Sequence, residues 1–518
     1  MKTRSSTSTS QSDSNATHVS RRTFLASGGA AAAAAGVGLL PASALGSPGS
    51  PGANGRLNLA FIGVGSQGLR VMFNFLKQPD VRAVAVCDPN KSSADYPQWG
   101  NNEFCEAVRG LLGTHSGWEW LSPNVPIQLT STLRVTSGVA GREPARQIID
   151  AYYAKDTKSG ATGGGCRAYS DYRELLEKER DLDGVVIGTT DHWHALIACA
   201  AMRAGKHVFC QKPMSHSIHE ARQMGRIAAE TKVATQVAVG PQASEETRRI
   251  CEWVWSGAIG KVHTVINWSN RPVWPQGLER PKETHPIPEG LDWDLWLGPA
   301  PLRPFNRAYL PFVWRGWHDF GCGALGDMGC YSLDVIFRVM RLGAPTSVEA
   351  SSSPRFEESF PSASSIEFKF PARGDLPPLT LHWYDGGLRP PHPEGFDGKL
   401  PEEGILFVGE KGTILTRFTG ESPKIIPQGL AASVQEPPKT LPRSPGNERE
   451  WLNAAKGGAE KPGANFEFSA RVTEALLLGN VALARSEKLL WDSPTLRVTN
   501  IQGLDPLIKP AYRGGWVL

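Results

Sequence analysis

A short apolar run, Leu57-Asn58-Leu59-Ala60-Phe61-Ile62, leads without a break into Gly63-Val64-Gly65-Ser66-Gln67-Gly68. No other stretch narrows the possible folds as much. The run suits a buried parallel strand, and Leu69 to Lys77 reads as the helix that follows it. The first glycine permits a tight turn, the second lets backbone approach a pyrophosphate, and the third lets helix pack on strand. The helix N-terminus then faces the phosphate charge. A second strand, Val81 to Cys87, ends in Asp88, 20 residues after Gly68. A carboxylate there would take the ribose hydroxyls of NAD and repel the extra phosphate of NADP. Gly63, Gly65, Ser66, Gln67, Gly68 and Asp88 are therefore candidate dinucleotide contacts, with NAD expected and NADP possible.

Strand and helix go on alternating. Asp171 to Glu179 reads as a helix, and Gly184 to Gly188 as a buried strand ending in Thr189-Thr190-Asp191-His192-Trp193-His194. A helix through Gly205 follows, then a strand from Lys206 to Cys210 that ends in Gln211-Lys212-Pro213. Residues 89–167 look like an irregular insertion with one helix near Glu143–Lys155. The alternation predicts a Rossmann-type doubly wound parallel sheet. Loops beyond the carboxyl ends of its strands should line the ligand crevice, which adds Thr189, Thr190, His192, His194, Gln211 and Lys212 to the cofactor candidates. His192 and His194 lack a nearby carboxylate or thiolate ligand set, so no metal is expected.

From about Gly240 the pattern changes. A helix at Ser244–Ser256 precedes strand-like segments at Lys261–Arg271, Ser364–Phe370, Leu379–Tyr384, Gly404–Val408 and Gly412–Thr416. They suggest a mostly antiparallel open sheet in an α+β second domain. Glu467 to Arg485 has the spacing of a long amphipathic helix that packs back across the first domain. The expected boundaries are a signal at 1–44, a linker at 45–55, a nucleotide domain at 56–240, a substrate and oligomerisation domain at 241–466, and a C-terminal helix and tail at 467–518.

The N-terminus reads as an address. Ser20-Arg21-Arg22-Thr23-Phe24-Leu25 precedes an uncharged Ala/Gly-rich run to Leu40, then Pro41-Ala42-Ser43-Ala44. This secretory pattern, with its paired arginines, resembles the twin-arginine export signal of bacteria. It implies the twin-arginine translocase as a partner during export and the periplasm as the destination. Residues 26–40 are too short and too rich in alanine to span ~30 Å of hydrocarbon, so cleavage after Ala44 would leave no membrane anchor. Most of the formal charge of +4 also sits here, in Lys2, Arg4, Arg21 and Arg22 against Asp13. The near-neutral remainder excludes an electrostatic nucleic-acid binder. The eight cysteines show no CxxC, and a chain folded in a reducing cytoplasm before export should keep free, buried thiols.

With these residues in place, the chain resembles the glucose–fructose oxidoreductase / inositol dehydrogenase / MocA family. The resemblance is carried by Gly63–Gly68, Asp88, the Thr189–His194 strand end and Gln211-Lys212-Pro213. The last is similar to the family's Glu-Lys-Pro, whose lysine contacts the reacting substrate hydroxyl. The run Trp314-Arg315-Gly316-Trp317-His318-Asp319-Phe320-Gly321-Cys322-Gly323-Ala324-Leu325-Gly326-Asp327-Met328-Gly329-Cys330-Tyr331-Ser332-Leu333-Asp334 looks like a second family segment. There a glycine-rich stretch opens a helix carrying an active-site aspartate (here Asp327) and, four residues later, usually a histidine (here Tyr331). The resemblance covers about residues 56–518. It implies a nicotinamide cofactor and a sugar, glycoside or cyclitol substrate. Gln211 replaces the usual glutamate, removing a negative charge beside the nicotinamide ribose. Tyr331 is similar to the arrangement in glucose–fructose oxidoreductase, which is also exported with a tightly held cofactor.

On one helix, positions i and i+4 share a face, so Asp327 and Tyr331 can point into one crevice that Lys212 enters from the other domain. Tyrosine titrates near ~10 when unperturbed, and an adjacent ammonium favours phenolate. Lys212 with Tyr331 is then the expected acid/base pair, with Asp327 orienting a sugar hydroxyl; the alternative is a packed Tyr331 with Lys212 acting alone. Asp334 fits a structural helix position equally well. Eight of the 16 tryptophans lie between 253 and 317, and aromatic faces stack on sugars. Arg271, Trp274, Trp317 and His318 are the main substrate candidates, with Trp268, Asn270 and His382 behind them; for any single tryptophan, packing in the core or an interface is the favoured reading.

Export adds a constraint. A cofactor outside the cytoplasm is not exchanged with a pool, so it should be loaded first, tightly retained and returned to its starting redox state. Hydride exchange between two sugars satisfies this, as does a redox-neutral glycosidase that oxidises its sugar transiently. A non-catalytic sugar or dinucleotide sensor on the same fold is the reading from another class. The open sheet also suggests a homo-oligomer.

Overall fold

The computed structural model describes residues 55–129, 133–155, 165–485 and 487–518. The twin-arginine segment and nearly all of the linker lie outside the described residues. Residues 55–518 form one compact unit.

The nucleotide domain is built on six parallel strands: β1 (Leu57–Ile62), β2 (Val81–Cys87), β6 (Arg167–Tyr169), β7 (Gly184–Ile187), β8 (His207–Cys210) and β9 (Thr235–Val237), in the order β6-β2-β1-β7-β8-β9. The order reverses at β1 and β7, where a doubly wound sheet opens its ligand crevice. Both faces are covered, which is why β1 and β7 are almost wholly buried and apolar. Helix α1 (Ser66–Leu76) follows the glycine loop and buries Leu69, Met72, Phe75 and Leu76 against the sheet.

The described part of the expected irregular insertion is in fact ordered. β3 (Ser93–Gln98), β4 (Pro126–Gln128) and β5 (Arg134–Ala140) form a small antiparallel sheet in the order β3-β5-β4, with α2 (Glu103–Leu112) beside it. β3 reads Ser-Ala-Asp-Tyr-Pro-Gln, with no alternation and a proline, so its sequence hides the strand. Side chains hold it instead: Gln98 Nε2 donates to Ser137 O at 2.5 Å, and Gln98 Oε1 accepts from Phe104 N at 2.8 Å.

The crossover helices α3 (Asp191–Arg203) and α4 (Ile218–Thr231) complete the first domain. The second carries nine strands among the described residues: β10 (Val262–Trp268), β11 (Ser347–Ser352), β12 (Ser364–Phe370), β13 (Leu379–Tyr384), β14 (Gly404–Gly409), β15 (Thr413–Arg417), β16 (Lys424–Ile426), β17 (Leu489–Asp492) and β18 (Arg497–Val498). Their order is β16-β15-β14-β10-β13-β12-β11-β17-β18, antiparallel except for the β10–β13 pair. β12 alternates buried and half-buried residues along its length, as a strand with one covered face should.

Helix α5 (Cys330–Met340) and the long helix α6 (Phe466–Leu483) lie on that covered face. The sequence reading of α6 as amphipathic is corrected. Thr473, Glu474, Ala475, Leu476, Leu477, Leu478 and Gly479 are all buried, because α6 is sandwiched between α4 of the first domain and the second sheet. A helix packed on two sides has no polar stripe to keep.

Candidate active site

A cleft of about 380 Å³ runs from the glycine loop to the junction of the two domains. At its first end backbone geometry dominates. Gly63 has φ +83°, and a Cβ there would stand 2.5 Å from Thr189 N. Only glycine fits a turn both left-handed and pressed on the neighbouring strand end. Asp88 is buried, and its two oxygens accept from Val64 N at 2.8 Å and Asn90 N at 2.9 Å. Burial pushes its carboxyl up to about 6, against the pull of those two amides and of Arg142.

The residues present fit a dinucleotide. The turn leaves its glycines open to the cleft and α1 points its N-terminus there. Thr189 Oγ1, in the cleft wall, is buried without a hydrogen-bond partner among the described residues.

The other end is made of charged side chains from both domains. Lys212 Nζ donates to Asp327 Oδ1 and to Asp327 O, both at 2.8 Å. Arg315 Nε donates to the same Oδ1 at 2.9 Å. Asp327 sits on a π-helical turn, Leu325–Gly329, that runs into α5, a distortion common at functional sites. Burial alone would raise its carboxyl, but Lys212 and Arg315 outweigh burial and hold it at about 2. Burial opposes the charge of Lys212, yet Asp327, and after it Tyr331, raise the ammonium above its ordinary value.

A family model described as "Oxidoreductase family, NAD-binding Rossmann fold" matches residues 141–239, and one described as "Oxidoreductase family, C-terminal alpha/beta domain" matches residues 248–376. Both models describe one oxidoreductase family, so the two halves of the cleft resemble successive domains of that family. Levoglucosan dehydrogenase of Pseudarthrobacter phenanthrenivorans is 31% identical over 111 residues, 20% of this chain and 28% of that protein. Myo-inositol 2-dehydrogenase of Thermotoga maritima is 28% identical over 109 residues, 21% of this chain and 32% of that one. The chain thus matches about a third or less of the length of these curated relatives. The WlbA dehydrogenase of Bordetella pertussis, solved with NADH and UDP-GlcNAcA, superposes with a TM-score of 0.50 at 14% identity, over 84% of this chain and 99% of that one. That likeness is one of fold.

The cleft gathers Gly63, Gly65, Ser66, Gln67, Asp88, Thr189, Thr190, Gln211, Lys212, Arg271, Trp274, Asp327 and Tyr331. Gly68 lies just behind, against Gly63 O. Lys212-Pro213 is a cis peptide.

Other expected contacts are corrected. The helix begins at Asp191 and is buried nearly all round, so His192 and His194, on opposite sides of it, are both enclosed. The His192 ring lies between the carbonyls of Phe320 (3.3 Å) and Trp296 (3.2 Å), and the His194 ring between those of Pro213 (2.7 Å) and Thr189 (3.2 Å). Burial pushes the two imidazoles down to about 3 and about 4. Both are neutral and structural; His194 braces the turn that carries Lys212.

Trp317 is 2% exposed and its Nε1 donates to Ala308 O at 2.7 Å, so it packs rather than binds. Trp268 is wholly buried and donates to Pro401 O. His318 lines a separate hollow with His216 and Phe360. Asn270 bonds Glu402, and His382 faces Glu367 on the sheet, both outside the cleft. Asp334 pairs with Arg338 at 2.8 Å on α5.

Tyr331 does line the cleft, but Lys212 Nζ stands over its ring, 5.0 Å from the centroid. Burial raises the phenol above its usual value despite that ammonium, so the expected Lys212–Tyr331 proton pair is not what the geometry provides. Sequence reasoning also passed over Arg315 and, from the insertion, Tyr96 and Trp99, all of which line the cleft. The flanking aromatics Phe312 and Trp314, which sandwich the Arg315 guanidinium at 4.4 and 4.3 Å, were the available signal.

Proposed function

We propose that the chain is an exported NAD-dependent oxidoreductase that moves hydride between its cofactor and the hydroxyl-bearing carbon of a sugar, glycoside or cyclitol. The observation that carries this reading is the Lys212–Asp327 pair, joined across the domains at 2.8 Å in the cleft that also holds the glycine loop. The names of the relatives, a levoglucosan dehydrogenase and a myo-inositol 2-dehydrogenase, support it. Gly63 to Gly68, Asp88, Thr189, Thr190 and Gln211 would hold the dinucleotide. When bound, NAD supplies a hydride acceptor.

The chain's own part is proton handling and orientation. An ammonium has three N–H donors. Lys212 gives two to Asp327, which leaves one for a substrate oxygen. Arg315 helps keep Asp327 ionised and so keeps Lys212 in place. In reduction of a carbonyl, Lys212 gives its proton to the oxygen. In oxidation of a hydroxyl, it must first be neutral to accept one. Because Lys212 is held above its ordinary value, oxidation should rise with pH from about 6 to 10 while reduction stays level, read as initial rates of each half-reaction. A flat oxidation profile would take Lys212 out of the proton path.

The proposal includes tight retention. Tyr96 lies against Gly65, and Trp99 of the insertion meets Phe312 of the second domain edge-on, with ring centroids 5.5 Å apart. Contacts of this kind beside the cleft support a cofactor loaded before export and kept. Export to the periplasm through the translocase rests on Arg21-Arg22 and the run behind it. The eight cysteines, all free and buried, suit folding in a reducing compartment. Copies would pair through the sheet face that presents half-buried Glu367, Lys369, Thr380 and His382, testable by light scattering.

Mass spectrometry of nucleotide released from natively folded protein tests the central reading. NAD is expected, NADP would overturn the role given to Asp88, and the absence of any pyridine nucleotide, with none taken up, would overturn the whole. Release of an aglycone from a glycoside without net change in bound nucleotide would mark the redox-neutral glycosidase instead.

A further inference from the structure

We propose that the reacting end of the cleft takes an acidic sugar, one bearing a carboxylate or a phosphate, and that Arg271 holds its anionic group. The inference rests on the sugar-oxidoreductase reading above and narrows its substrate class.

The charges at this end do not balance. Among the described residues lining it, Lys212, Arg271 and Arg315 face a single carboxylate, Asp327. That carboxylate is already shared by Lys212 and Arg315. Arg315 also spends Nη1 on Phe312 O at 2.9 Å. The third cation, Arg271, is left to a carboxylate outside the cleft wall. Glu403 Oε1 lies 3.6 Å from Arg271 Nε, beyond hydrogen-bond reach. The same oxygen accepts from Ser269 Oγ at 2.5 Å and Asn270 N at 3.3 Å, so it is committed elsewhere. Arg271 Nε is buried with no hydrogen-bond partner among the described residues. Buried donors are normally satisfied, and an exception calls for an explanation.

The guanidinium is also well placed. The backbone of Arg271 is fixed on both sides, its N donating to Ser269 Oγ at 3.2 Å and its O accepting from Gly386 N at 2.6 Å. Three residues on, Trp274 meets Phe312 edge-on at 6.3 Å, with Trp274 Nε1 tied to Gln276 Oε1 at 3.0 Å. A side chain on Gly316 would collide with Pro275 O, so the segments bearing Arg271 and Arg315 are packed together. One wall thus combines an aromatic ring with two guanidiniums. A guanidinium fork matches carboxylate and phosphate oxygens in geometry as well as charge. A neutral sugar would leave Arg271 with only its 3.6 Å ion pair to Glu403; an acidic one gives the guanidinium a hydrogen-bonded anion.

The test is equilibrium binding by calorimetry to the full chain with its nucleotide, using D-glucuronate, D-glucose and D-glucose 6-phosphate. Wild type should bind one of the acids at least about tenfold tighter than glucose, and the tighter acid tells carboxylate from phosphate. Arg271→Gln should bring that ratio close to one, and Arg271→Lys should keep part of it. Glu403→Gln, which removes the competing charge but keeps an acceptor for Ser269, should widen it. Equal binding of acids and glucose by wild type, or an undiminished ratio in Arg271→Gln, overturns the proposal. Acid preference without any reduction of bound NAD would leave this subsite standing and bring down the oxidoreductase reading instead.

Discussion

The two ends of the cleft are built on opposite principles. At the glycine loop the chain works mainly through backbone: a left-handed turn at Gly63, a helix start, and one carboxylate, Asp88, held by two amide N–H groups. At the far end it works through side chains, with Lys212, Arg315 and Asp327 locked together at 2.8–2.9 Å. A backbone cradle is specified by consecutive residues and tolerates little change in shape. A charged cluster is specified by distant residues and tolerates little change in charge. Loss of function at the two ends should therefore look different.

Lys212→Ala should show the largest effect. Turnover should fall by about 10²–10⁴-fold, the usual range for losing a positioned proton-transfer group, while nucleotide stays bound. Rates with the best available sugar and mass spectrometry of the bound fraction give both readouts. Loss of nucleotide along with the rate would erase the contrast, because Lys212 would then belong to the cradle as well. Gly63→Ala is its counterpart. A methyl group meets Thr189 N at 2.5 Å from a φ of +83°, and strain of this kind costs about 1–3 kcal/mol. Nucleotide occupancy and thermal stability should drop together, and occupancy equal to wild type would show that the turn can relax.

The same division governs what could be read in advance. The glycine loop, Asp88 and the alternating strands of the first domain were legible because each signal lies within one contiguous stretch. Lys212 and Asp327, 115 residues apart, came from family resemblance rather than from spacing. Arg315 was quoted within its motif and not singled out, since its importance lies in an oxygen it shares with Lys212. The histidines at 192 and 194 were misplaced because two polar residues at a strand end look like loop ligands until the helix is seen to start at Asp191. The insertion and its helix near Glu143–Lys155 were legible, but its small sheet was not, because β3 is held by the side chain of Gln98, a kind of support that has no periodicity.

Asp191 lies between the two ends in character, since it is buried and outside the cleft lining yet close enough to feel the charged cluster. Burial first, and then the charge of Asp327, push its carboxyl up to about 7. A folded value above the unfolded one means that its contribution to stability is fully present below about 3.8 and is lost as pH rises through about 7. Asp191→Asn cannot ionise. Its stability relative to wild type should therefore be greater at pH 8 than at pH 5, by roughly 1–2 kcal/mol, read from paired thermal melts. A difference independent of pH would mean that Asp191 is already ionised in the fold at pH 5.

Tyr331→Phe should have the smallest effect, and it decides which atoms of the charged end matter. Lys212 faces the Tyr331 ring at 5.0 Å, and phenylalanine keeps a ring for that ammonium. The attraction of a cation to an aromatic face is about 0.5–2 kcal/mol and only somewhat weaker for phenylalanine. If the ring is what counts, turnover should fall less than about tenfold, with the pH profile unmoved. A phenol that transferred the proton would cost about 10²–10⁴-fold on removal and would take a titrating group out of the profile. The raised phenol and the face-on lysine argue for the small effect. A large one would move the proton from Lys212 to Tyr331 and restore the pairing expected from an ammonium beside a phenol.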